Sequence, residues 1–200
     1  MTPEECADAV ALPIGKYGTT WMISPETFAP GIAAGFSGLD FYFCGRGGAL
    51  GDVPADVVVA AMGVLGPEAT RANWEQGLNV MPPVEAAVIF AEACADHGRR
   101  TLPDDVDLAE LTALATRIID GAECAGLPLF AAWRAMPVPT DVKGAASHQL
   151  NVLREHRGGA HIAAVISQGL APIEAVLAHG GPGTAAFLGH QEPYPEIDDD

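Results

Sequence analysis

Basic residues are scarce in this sequence: 10 lysines and arginines stand against 26 aspartates and glutamates over 200 residues, a formal net charge of −16. Such a surface repels phosphate backbones, so nucleic acid is disfavoured as a partner on charge alone. The one modest basic cluster is Arg154, His156, Arg157 and His161. Cysteine is sparse too. Cys6, Cys44, Cys94 and Cys124 lie far apart and form no CxxC pair, which predicts reduced, buried thiols in a cytoplasmic protein. No apolar run reaches about 18 residues, so no membrane association is expected. The acidic N-terminus does not read as a signal peptide. GxSxG, HExxH, Glu-x-x-His, a catalytic-cysteine signature and a Walker loop are all missing, which removes the common hydrolase, zincin, di-iron and P-loop readings.

What is present describes a helical core. Hydrophobic residues make up 49% of the chain and charged residues 18%, the balance of a globular domain. Alanine is abundant, and small side chains favour helix formation and close helix approach. Proline and glycine punctuate the chain at helical intervals. Thr2-Pro3-Glu4-Glu5 reads as a capped helix start, Ser24-Pro25-Glu26 as a second, Pro54 and Pro67 as two more. Pro82-Pro83 opens a helix with Val84, Val88, Ala91 and Ala95 along one face and Gly98 at its end. Asp107 with Glu110 begins another that keeps helical spacing through Ala125. The expected fold is an all-α, compact bundle of about eight to ten short helices with helix-turn-helix-like packing. Residues 1–190 read as one domain and 191–200 as an acidic flexible tail.

The stretch DFYFCGRGGALGDV (Asp40 to Val53) poses a choice between a phosphate loop and a helical corner. Its glycines, Gly45, Gly47 and Gly51, miss the dinucleotide spacing, and no strand–helix–strand alternation follows. The corner, where glycine lets two backbones approach, is the better reading.

Chemistry concentrates in Arg154-Glu155-His156-Arg157-Gly158-Gly159-Ala160-His161. The double glycine is read as the end of one helix and the start of the next. Basic side chains there serve either as caps or as an anion site, with Arg154, Arg157, Gly158 and Gly159 binding ligand and Arg46 as a second clamp. His156 and His161 are the candidate proton carriers, hence the catalytic candidates. His148, His156 and His161 lie eight and five positions apart, which does not stack as a metal triad, so no metal is assigned and no cofactor is identified. Trp21, Trp74 and Trp133 are expected in the core. Glu85, Glu92 and Asp96 are expected as a solvated stripe.

The segments YFCGRGGALGDV (Tyr42 to Val53), LPLFAAWRAMPVP (Leu127 to Pro139) and VLREHRGGAHIAAVISQGLAPIEA (Val152 to Ala175) resemble the SalK family of actinobacteria over roughly Ala11 to Leu177. Gly159 stands where that family has aspartate and Ala49 where it has proline; its C-terminal winged-helix-like segment has no counterpart after Leu188. The resemblance implies a helix-turn-helix-like fold found near natural-product gene clusters. The resulting expectation is a protein that binds a small polar or anionic molecule, with action on that molecule in actinobacterial secondary metabolism as the enzymatic form. The alternatives are a helix-turn-helix-like transcriptional regulator and a non-catalytic dimerisation or interaction module; a homodimer is allowed by either.

Overall fold

Proline and small polar caps start the helices where the sequence marks them. A computed structural model describes residues 2–197, so Asp198, Asp199 and Asp200 of the acidic tail lie outside the described residues. Those residues form α1 (Pro3–Met22), α2 (Pro25–Ala33), α3 (Leu39–Gly47), α4 (Ala55–Met62), α5 (Pro67–Leu78), α6 (Pro83–Thr101), α7 (Leu108–Gly121), α8 (Pro128–Arg134), α9 (Val142–Ser167) and α10 (Pro172–Phe187), with a short 3-10 turn at Gly48–Leu50 and no strand among them. Thr2 and Glu5 close a capping box on α1. Ser24, Asp107 and Asp141 cap α2, α7 and α9 through their side chains, each satisfying an amide the first turn leaves free. The fold is all-α, as the punctuation and periodicity predicted. No single described helix is long and apolar enough to cross a membrane.

α6 and α9 form the central pair. α6 also carries α3 and α2, while α9 carries α7 and α8. Phe90 of α6 sits at the middle of the core, its ring centroid 4.8 Å from Trp21, 5.5 Å from Phe41 and 6.2 Å from Trp133. Trp21, Trp74 and Trp133 are fully buried. The stretch expected as a helical corner is instead a continuous helix, α3, through Gly47, and the turn comes only after it, at Gly48–Leu50. A Cβ on Gly45 would come 2.7 Å from Phe90, and one on Gly48 would overlap the backbone carbonyl of Pro83. Glycine is there because Gly45 faces the Phe90 side chain in the middle of α6, and Gly48, just past α3, meets the Pro83 backbone at its start.

Some faces differ from the periodicity reading. Val84 and Val88 are exposed, and α6 buries Ala86, Phe90, Cys94 and His97 instead. α6 has two apolar stripes, and only its neighbours choose between them. Gly98 does not end α6; it is buried against the Lys143 carbonyl and Ser147 of α9, and the helix runs on to Thr101. Cys44 and Cys94 are buried, but Cys6 and Cys124 are exposed, which corrects the reading of all four as buried. Arg99 ties Glu92, Asp96 and Asp141 together at the surface. α10 breaks at Gly181 and packs a small cluster of Val176, Leu177 and Ala185 against Val64 and Tyr194.

Candidate functional site

α9 is one helix of 26 residues, about 39 Å long, and it passes straight through Gly158-Gly159. The sequence reading ended a helix there because two adjacent glycines weaken a helix by about 1 kcal/mol each relative to alanine. Tertiary packing decides otherwise: a Cβ on Gly159 would come 2.7 Å from Leu127, so the glycine admits the start of α8. Gly159 therefore offers no helix N-terminus for an anion. Cationic side chains supply any attraction instead. The unbroken helix aligns Arg154, Gly158 and His161 at i, i+4 and i+7, with Glu155, Gly159 and Ile162 beside them.

Arg46 of α3 and Glu155 of α9 meet across the core. Arg46 donates from Nε to Oε1 at 2.9 Å and from Nη2 to Oε2 at 2.8 Å, a bidentate pair. Its Nη1 donates to the Tyr42 hydroxyl at 2.8 Å. The Trp133 indole donates to the Arg46 carbonyl at 3.1 Å. Arg154 Nη1 donates to the same Glu155 carboxylate at 3.1 Å. Burial alone would raise the Glu155 pKa, but Arg46 and then Arg154 overcome it and hold the carboxyl below the usual range. Burial opposes the charge on Arg46, and Glu155 with Tyr42 more than restores it, so its pKa is raised. Arg154 is pressed downward by burial and by Arg46 beside it.

This network forms one wall of a cavity of about 640 Å³. The other walls are apolar: Met22, Phe28, Phe43, Met62, Leu129 and Phe130, drawn from α1, the helices that follow it, and α8. The size and the apolar lining with a few convergent polar groups suit a small organic molecule. Of the residues singled out from the sequence, Arg46, Arg154, Arg157, Gly158, Gly159 and His161 all line it. His156 does not. Its ring packs edge-on against Phe130 at 4.8 Å, on the other side of α9. Glu155 and Tyr42 went unread, although Glu155 sits inside the basic cluster and Tyr42 lies one turn before Arg46. Among the described residues no three His, Cys, Asp or Glu side chains gather as metal ligands. His148 is buried with Nδ1 unpartnered, away from His161 on the helix.

The cavity also borders a helix-turn-helix unit. α9 and α10 are joined by four residues, Gln168 to Ala171, and the chain turns by 109° between them. Gly169, at φ +77°, makes the turn. Two helices near 90–120° with a short glycine-bearing turn are the geometry of that motif. α5 and α6 make a second such corner, at 103°. Phe187, the last residue of α10, and Leu188 and Gly189 after it line the cavity together with α9.

Compared with known proteins, residues 8–194 match a helix-turn-helix family, nearly the whole chain. No curated protein and no solved structure matches it. The family match overturns the expectation that nucleic acid is disfavoured as a partner, because helix-turn-helix units are the ones that lay a second helix in a DNA groove. Net charge sums the whole surface, whereas groove docking needs only one face. α10, the second helix of the 109° pair, carries Glu174 as its one charged residue.

Proposed function

The chain belongs to the helix-turn-helix family, and on that premise we propose that it is a ligand-responsive regulator acting in the cytoplasm. The observation that carries this reading is the shared wall: one cavity is lined by α9, through Arg154, Arg157 and His161, and by Phe187 at the far end of α10, past its break at Gly181, with Leu188 and Gly189 after it. A small molecule that fills the cavity touches both helices at once. It can shift their relative placement only to the extent that it binds one arrangement better than the other. The turn at Gly169 is the hinge, and α10 is the element presented to DNA. The test is selection from a random duplex library with the purified protein at low salt. Enrichment of a sequence, with affinity that falls as salt rises, supports the reading. A pool no different from its input refutes it.

A second reading is favoured by one residue. His161 lines the cavity beside Arg154 and Arg157, where an imidazole could move a proton while the arginines hold substrate charge. In that form the protein is a biosynthetic enzyme of actinobacterial secondary metabolism, as the SalK resemblance implies. His161→Ala separates the two: it abolishes turnover in the enzyme and leaves DNA selection intact in the regulator.

A further inference from the structure

The charged side chains lining the cavity are Arg46, Arg154 and Arg157 against Glu155. Arg157 is exposed to solvent, so the buried and half-buried set is Arg46 and Arg154 against Glu155, a surplus of one positive charge inside a chain whose net charge is −16. Buried charges are ordinarily paired, so a cationic surplus on an apolar wall marks a place for an anion. The donor geometry says which arginine is free. Arg46 commits Nε, Nη1 and Nη2 to Glu155 and Tyr42. Arg154 donates once, from Nη1 to Glu155, and its side chain remains 23% exposed. A guanidinium has five N–H groups in a fork that fits a carboxylate or sulfonate, so most of the Arg154 fork is unspent. Its stem is held in place: α1 passes over it at Gly18, where a Cβ would come 2.5 Å from Arg154 Cδ. Arg157, exposed one turn further along α9, makes no ion pair among the described residues.

We infer that the cavity takes an organic anion, an apolar body carrying one anionic oxygen head group, and that Arg154 is the residue that binds the head. Arg46 and Glu155 form the platform that positions it, and Arg157 adds charge near the opening. This rests on the ligand-binding half of the proposed function and deepens it by naming the ligand's chemistry.

Two fluorescent probes test it: anilinonaphthalene sulfonate, and N-phenylnaphthylamine, the same scaffold without the sulfonate. The native protein should bind the sulfonate at least about tenfold more tightly than the neutral probe, the worth of a charge-assisted hydrogen bond. Arg154→Met should weaken the sulfonate by roughly 10- to 100-fold and leave the neutral probe within a factor of about three. Arg154→Lys, which keeps the charge and loses the fork, should fall between them, and it serves in place of Arg154→Met if that variant does not fold. Ala61→Trp, which fills the cavity from α4, should weaken both probes. Neutral binding without a preference for the sulfonate overturns the head-group assignment and leaves the cavity as a ligand site. Binding of neither probe overturns both. Loss of both probes together in Arg154→Met, or no effect of Ala61→Trp, also overturns the assignment.

Discussion

Removing the Glu155 carboxylate tests the buried network most directly. Glu155 is 2% exposed and accepts three hydrogen bonds from two arginines. Glu155→Leu leaves Arg46, itself 7% exposed, with one neutral partner, Tyr42, and leaves Arg154 with none. Breaking a buried pair from one side costs about 3–5 kcal/mol, because an uncompensated charge stays behind. In a domain of this size that lowers the melting temperature by about 6–20 °C. The double variant Arg46→Met with Glu155→Leu removes both charges of the pair and should recover to within about 2 kcal/mol of the native protein. Urea unfolding of the native protein, both single variants and the double variant gives the coupling energy directly. A Glu155→Leu loss below about 1 kcal/mol would falsify the claim that this carboxylate is desolvated and bridging. A double variant as unstable as the two singles summed would show that the two groups do not interact. The pH arm has a definite sign. The folded pKa of Glu155 is depressed below its unfolded value of about 4.3, so its stabilisation is present above that pH and is lost as pH falls through the folded value.

Three further predictions follow from burial. The His148 imidazole is pushed down to about 4 by desolvation, so the unfolded chain takes up a proton that the folded one refuses between about pH 6.5 and 4. Stability should fall over that window, and His148→Phe should flatten the fall in urea titrations at pH 7.5 and 5. Gly158→Ala, at a helical position where a Cβ meets nothing within 4 Å, should stabilise α9 by about 0.5–1 kcal/mol; Gly48→Ala, which would overlap the Pro83 carbonyl, should destabilise by more than that; calorimetric melts that reverse this order would contradict the packing. Burial pushes the Cys44 and Cys94 thiols up to about 12, whereas Cys6 and Cys124 are exposed. Ellman's reagent at pH 8 should therefore label two thiols in the native protein and four in denaturant.

The sequence by itself determined which segments become helices, because capping and termination are local. Thr2, Ser24, Asp107 and Asp141 satisfy amides within three or four residues of themselves, and proline at a first turn sacrifices no hydrogen bond. It also placed Arg46, Arg154, Arg157 and His161 among the residues of interest, Arg46 because an arginine in apolar surroundings requires a partner and the other three because they belong to the one basic cluster. Three things waited for the tertiary structure. Gly158-Gly159 reads as a break in any local account, yet α9 runs through it, and Gly159 is glycine because Leu127 occupies the space its side chain would need. The partner of Arg46 lies 109 residues away, and no spacing rule reaches across α3 and α9. α6 carries two apolar stripes, and which one is buried is set by Trp21, Phe41 and Trp133 arriving from other helices around Phe90. Local energetics chose the elements; the competition for the same buried volume chose their faces, and with them the cavity.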